Sequence, residues 1–311
     1  MNLMANYINK IKKFFDLNYY FKMEENHFEY MIRQDALIKE ALSSTKLGIS
    51  EDPYCDHEIV VSMTTYGNRL YSAAPVIESI MQGSMRPNHF VLNLGEDLNG
   101  KKLPVALQNQ QKRGLEINYG KDIRSYKKLI PTLKKYPEAA IITIDDDLIY
   151  YYDLVEKLVH TYIESPQFII ANRIHRIKLR NDMHPVEYMS WDQEANPEDV
   201  SFLNFSTGGG GTLYPPHSLS EEVLNEDVFM DVCPYADDVW FYSMALLKGT
   251  MTKKCYTHDH QGRDFVYNDK IQDSGLYNVN TSNKNKRCRN DDQLEAVFDK
   301  YDLWSKLKEH G

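Results

Sequence analysis

The stretch "AAIITIDDDLIYYYDLVEKLV", Ala139 to Val159, places three adjacent aspartates, Asp145, Asp146 and Asp147, directly after an apolar run. Ala139 to Ile144 is too short for a helix and reads as a buried strand. The "DLVEKLVHTYI" that begins at Asp153 reads as the helix that follows it. Three like charges side by side repel. A chain that sets them at the end of a buried strand needs a cation there.

The same strand–loop–helix alternation extends outward from this unit. "HEIVVSMTT" (57–65) is a strand ending near Thr64, followed by a helix in "AAPVIESIMQ" (73–82). "HFVLNLGE" (89–96) and "LEINYG" (115–120) are further strands. A helix over 105–114 stops at Gly114, and another, "YKKLIPTLKKYP" (126–137), is closed by Pro137. Such alternation implies an α/β fold with a mostly parallel central sheet and helices on both faces. Ligands of these sheets bind beyond the carboxyl ends of the strands, where the aspartates stand. Beyond Pro166 the pattern turns strand-rich, in "QFIIANRIHRIKL", "VEYMSW", "FLNFS" and "GTLYPP". A helix near Asp238, a strand "TKKCYTH" (252–258) and a C-terminal helix opened by Asp291 and Asp292 complete it. The expected division is a helical N-terminal extension (1–50), a catalytic domain (51–265) and a C-terminal loop and helix (266–311).

The chain has 311 residues, of which 42% are hydrophobic, enough for a sizeable core. A net charge of −9 argues against a nucleic-acid partner. The four cysteines form no C-x-x-C pair and no zinc-like spacing, which fits reduced thiols in a cytoplasmic protein.

Successive residues of a strand point to opposite faces, so Asp145 and Asp147 are expected on one side and Asp146 on the other. Two carboxylates at a strand end suit a hard divalent ion, Mn²⁺ or Mg²⁺, which keeps positions open for substrate phosphates. Aspartates also cap helix N-termini, but three in a row exceed what a cap requires. After the first strand come Thr64, Thr65, Tyr66 and Arg69; Tyr66 can stack and Arg69 can meet a phosphate. Lys127 and Lys128 are adjacent on the expected helix, so only one faces a given ligand. The glycine run 208–211 lets backbone approach a ligand closely. Asp237 and Asp238 stand at a helix start, as caps or as a general base. His258 and His260 would share a side if their strand continues.

"ITIDDD" after a buried strand resembles the D-x-D element of GT-A-fold glycosyltransferases. "VVSMTTYGNRL" (60–70) resembles the first strand and nucleotide-binding loop of the bacterial surface and capsular polysaccharide members, and 126–137 the segment before their D-x-D. "GGGGTLYPP" (208–216) and "YADDVWFYSMALL" (235–247) resemble their acceptor-side elements. The resemblance runs from about Val60 to His260. It implies a metal-dependent hexosyltransferase using a nucleotide-sugar donor, UDP-linked in most families with this motif. It places Thr64, Thr65, Tyr66, Arg69, Lys128, Asp145, Asp146, Gly209 and Gly210 at the donor. It places Asp145 and Asp147 on the metal, with His258 or His260 as an added ligand. In an inverting enzyme Asp238 would be the base, with Asp237 the second candidate. The acceptor would be a glycan or lipid-linked glycan. The rival readings are a nucleotidyltransferase of similar fold and a non-catalytic carbohydrate-binding scaffold.

The N-terminal 48 residues carry two helical patterns. Met4, Tyr7, Ile8, Ile11, Phe14 and Phe15 alternate with Lys10, Lys12 and Lys13; Phe28, Met31, Ile32, Ile38 and Leu42 follow. A helical pair is expected, packed on the domain or in a homodimer, or else laid peripherally on an anionic membrane.

Overall fold

A computed structural model describes residues 2–255, 264–267, 280 and 287–310. Its sheet has seven strands. Three stand at one edge and run parallel: β1 (Ile59–Thr64), β2 (His89–Gly95) and β3 (Leu115–Gly120). β4 (Ala140–Thr143) lies parallel on the other side of β1. The short β5 (Leu148–Tyr150) leaves this sheet. β6 (Ile169–Ala171) returns to it, while β7 (Ile174–Arg176), β8 (Asp192–Ala195) and β9 (Asn204–Ser206) form a separate three-stranded sheet. β10 (Thr212–Tyr214), β11 (Thr252–Lys254) and β12 (Phe265–Tyr267) follow. The order across the main sheet is β3-β2-β1-β4-β10-β6-β11. Only β10 runs antiparallel to its neighbours β4 and β6.

The inner strands β1, β2, β4, β10 and β6 are buried on both faces, which is why they read as mainly apolar runs rather than alternating ones, whereas the edge strands β3 and β11 are only partly buried. One face carries α1 (Asn2–Ser43), α2 (Ala73–Met81), α3 (Val105–Lys112) and α5 (Leu154–Glu164), packed on Ile59, Val61, Phe90 and Leu92. The other face carries α4 (Ile130–Lys135), α7 (Asp237–Lys248), α8 (Arg289–Tyr301) and α9 (Leu303–His310), packed on Val60, Val91 and Ile141. The short α6 (Glu226–Val232) packs there through Phe229. The mostly parallel α/β architecture expected from the strand–helix alternation is therefore present.

Several local expectations need correction. The N-terminal segment is one helix of 42 residues, about 63 Å long at 1.5 Å per residue. No proline or glycine interrupts residues 2–43, so nothing breaks it into a pair. Its Tyr30, Leu37 and Ala41 are buried, whereas Tyr20, Phe21, Phe28 and Ile32 are exposed. The side chains of Met4, Tyr7, Ile8, Lys10, Ile11, Lys12, Lys13, Phe14 and Phe15 lie outside the described residues. "VEYMSW" forms a 3-10 turn at Tyr188–Ser190 instead of a strand. "YKKLIPTLKKYP" divides into a 3-10 turn, Arg124–Lys128, and the helix α4. The C-terminal helix breaks at Asp302, whose left-handed backbone (φ 50°) separates α8 from α9. Among the described residues no helix is long and apolar enough to cross a membrane.

Candidate functional site

β1 and β4 run side by side with Ser62 opposite Thr143, so the loops leaving their carboxyl ends meet. Thr65 Oγ1 donates to Asp146 Oδ2 at 2.5 Å. From the turn after β1, Arg69 Nη2 reaches Asp146 Oδ1 at 2.9 Å and Asp147 Oδ2 at 2.5 Å. The same guanidinium lies 5.7 Å from the centre of the exposed Tyr66 ring. Thr64, at the end of β1, bonds instead to the Asn93 carbonyl of β2 and takes no part in this cluster.

Asp145 turns the other way. Its Oδ1 accepts from Lys128 Nζ at 2.6 Å, and Lys128 also pairs with Asp237 Oδ2 at 3.1 Å. Strand alternation does not carry into the triplet, because β4 ends at Thr143. Asp146 and Asp147 therefore share one arginine while Asp145 shares a lysine with α7. Lys127 and Lys128 are both buried but diverge: Lys127 goes to Asp122, and only Lys128 enters the cluster. The 3-10 turn, not a helix face, separates them.

The glycine run closes the cluster from above. Gly208 N donates to Asp238 Oδ1 at 3.0 Å. A Cβ on Gly209 would stand 2.9 Å from Asp145 Oδ2 and 2.8 Å from Arg173 Nη2. One on Gly210 would stand 2.3 Å from Arg173 Cβ. Side chains are excluded here because the turn lies directly on charged groups. Tyr150 ties the two walls together. Its hydroxyl donates to the Gly209 carbonyl at 2.8 Å and accepts from Asp145 N at 2.9 Å. Arg173, which follows β6, is fixed by Thr207 Oγ1 at 2.5 Å. Sequence reasoning passed over Tyr150, Arg173 and Thr207. The one available signal was an arginine between two short apolar strands.

Burial and crowding shape the charges. Burial, then the Asp237 carboxylate, pushes Asp238 up to about 7 against the pull of Lys128. Burial pushes Asp146 up to about 6, opposed by Arg69. Asp147 is raised by burial and by Asp145. Asp145 itself is held low, because Lys128, with Arg173 and Arg69, outweighs its burial. Lys128, among Asp145, Asp237 and Asp238, is held well above the usual lysine range.

Five carboxylates (Asp145, Asp146, Asp147, Asp237 and Asp238) thus face three cations, Arg69, Lys128 and Arg173. Carboxylates outnumber cations here, and burial and mutual repulsion hold Asp146, Asp147 and Asp238 above the usual carboxylate range. Among the described residues no three His, Cys, Asp or Glu side chains are grouped as a ready-made metal cage. His258 and His260 lie outside the described residues.

No protein-family model matches the chain, and no curated protein matches it either. Solved structures overlap with it distantly. They include S. aureus TarS 1–349 in complex with UDP (12% identity, 68% of this chain and 60% of that one, TM-score 0.44). A CMP:2-keto-3-deoxy-manno-octonic acid synthetase complexed with CTP overlaps at 12% identity, over 64% of this chain and 89% of that one, with a TM-score of 0.39. A cytidylyltransferase from Leptospira borgpetersenii overlaps at 11% identity, over 80% and 97%, with a TM-score of 0.40. At scores below 0.5 the chemistry of this chain rests on its own cluster of carboxylates, cations and glycine backbone at the ends of β1 and β4.

Proposed function

We propose that the chain is a metal-dependent glycosyltransferase that moves a sugar from a nucleotide-diphosphate donor, UDP-linked, to a hydroxyl of a glycan or lipid-linked glycan. The observation that carries this reading is the meeting of the Asp145–Asp147 triplet with Lys128, Asp238 and the Gly208–Gly210 turn. Asp145 and Asp147 would hold Mn²⁺ or Mg²⁺, which when bound supplies positive charge to the leaving diphosphate. Arg69 and Lys128 add fixed positive charge in a site shielded from water. The glycine turn lets the sugar lie against backbone. Asp238, raised to about 7, is poised near neutral pH to take the proton of the attacking hydroxyl. Tyr66, exposed beside Arg69, offers a face on which a base can stack. In this reading the enzyme is cytoplasmic and meets a lipid-linked acceptor at the inner face of a membrane, in surface polysaccharide synthesis.

The test is hydrolysis and binding of a panel of nucleotide sugars, with and without Mn²⁺. Asp147→Asn should abolish turnover and the Mn²⁺-dependent part of UDP binding while the fold stays intact. Undiminished activity in EDTA-treated protein would overturn the metal assignment. Release of pyrophosphate from CTP or UTP and a sugar phosphate, without sugar transfer, would establish a nucleotidyltransferase instead.

A further inference from the structure

Beside the carboxylate cluster lies a second charged feature of opposite sign. The Arg124 guanidinium lies 4.2 Å from the centre of the Tyr235 ring, and that of Arg289 lies 4.7 Å from the same ring. Three separate elements build it: the 3-10 turn after β3, the segment before α7, and the first residue of α8. The backbone that carries the ring is held from several directions. Tyr235 N donates to Gln293 Oε1 at 2.8 Å, and Asn280 Nδ2 donates to the Tyr235 carbonyl at 2.7 Å. Arg124 Nη1 donates to the Pro234 carbonyl at 3.0 Å, and Tyr126 OH donates to that of Cys233.

Two features mark it as more than packing. Both arginines are exposed, and among the described residues neither pairs with a carboxylate, although the chain carries a net −9. Two guanidiniums gathered on one ring repel, and among the described residues only Asp122, held low by Lys127 first and by Arg124 without an ion-pair contact, offsets them. That arrangement suits a phosphate, which accepts several bonds from arginine forks. Arg124 is also held in the left-handed region (φ 58°), its N–H donating to Asp122 Oδ1 at 3.1 Å. A strained non-glycine residue persists where the surrounding structure enforces it, as binding sites do. Asp237 follows Tyr235 by two residues and meets Lys128, and Arg124 and Lys128 belong to one 3-10 turn, so the same two segments carry the ring and part of the cluster.

We infer that Arg124 and Arg289, gathered on Tyr235, bind a phosphate group carried by the second substrate, beside the donor site and distinct from it. Its role in transfer rests on the function proposed above; its binding of phosphate does not.

The experiment is a ³¹P NMR titration of the full chain with glycerol 3-phosphate, with and without saturating UDP and Mn²⁺. Glycerol serves as the neutral control. Binding of the phosphate ester should persist in the presence of UDP, weaken with salt and be absent for glycerol. Arg124→Gly and Arg289→Gln should each weaken it at least five-fold and leave UDP affinity unchanged. Arg124→Gly should also keep or raise the melting temperature, because glycine adopts that backbone without strain. Loss of the phosphate signal when UDP binds would assign the arginines to the donor diphosphate and overturn the inference. Wild-type affinity in both variants would overturn it too. If UDP fails to bind at all while both variants still lose the phosphate ester, the function proposed above falls and this site stands.

Discussion

Asp238→Asn should stabilise the metal-free chain while destroying its catalysis. The Asp238 carboxyl is raised from 3.8 to about 7, first by burial and then by Asp237, with Asp145 adding to it and Lys128 opposing. Below pH 3.8 it is protonated in both the folded and unfolded chain and contributes nothing. Between 3.8 and about 7 the unfolded chain ionises and the folded chain does not, so stability falls as pH rises. Above 7 the penalty is complete, about 4 kcal/mol at 1.36 kcal/mol per pH unit. Asparagine can still accept the Gly208 N–H bond through its own oxygen, so the glycine turn keeps its anchor. The gain is this penalty less what the amide loses in its own contacts, on the order of 2 kcal/mol. For a chain of this length that is about 3 °C in melting temperature at pH 8. At pH 4.5 only about a quarter of the penalty has developed, and the gain should shrink in proportion. Differential scanning calorimetry of both proteins at the two pH values, in EDTA, reads this directly. Turnover should fall at least a hundred-fold with donor affinity near wild type. A variant less stable than wild type at pH 8, or a gain of equal size at both pH values, would refute the reasoning that burial, with Asp237 beside it, raises this carboxyl.

Gly209→Ala and Gly210→Ala should separate function from fold. The new methyl at 209 meets the movable ends of Arg173 and Asp145, so turnover should drop at least ten-fold with stability nearly unchanged. At 210 it meets the Arg173 backbone nitrogen at 3.0 Å, and unfolding in urea should show a loss of about 1–3 kcal/mol. Removing residues 1–49 deletes the bonds from Asn26 to Tyr267 and from Arg33 to Tyr150. Melting temperature should fall by several degrees in thermal denaturation. The same comparison divides the partners of the exposed Tyr20, Phe21, Phe28 and Ile32. Salt-sensitive sedimentation with anionic vesicles marks a membrane contact, and a change of mass in light scattering marks a second copy.

The strand–helix alternation was legible because β1, β2 and β4 are each buried on both faces and flanked by amphipathic helices. The direction of β10 was not. Three residues, Thr212–Tyr214, carry no mark of whether they run with or against a neighbour. The acidic triplet announced itself through charge crowding, but its side-chain directions did not follow strand alternation, since the strand ends two residues before Asp145. Lys128 was identified through resemblance, and its burial between Asp145 and Asp237 became visible only in three dimensions. Arg173 comes from a segment with no acidic or glycine-rich signature, 28 positions after Asp145, and reaches the cluster through the β6–β7 connection.

The long N-terminal helix has a consequence for the order in which the molecule assembles. Arg33 donates to the carbonyl of Tyr150, 117 residues later, and Asn26 to that of Tyr267, 241 residues later. Tyr150 is the residue whose hydroxyl fastens Asp145 to Gly209. β5, which carries it, pairs with β12. The brace behind the site is therefore made from segments far apart in the order of synthesis. During translation the end of α1 near Ala41 can be covered early by α2 and α3, but the part around Tyr30 waits for Ile149 of β5 and Val266 of β12. Contacts of such separation slow folding and prolong exposure. A ribosome halted before β12 would hold every acidic residue of the cluster, yet the strand that backs Tyr150 would lack its partner. Catalytic competence should therefore appear late and abruptly as the polypeptide lengthens, rather than in step with the growth of the sheet.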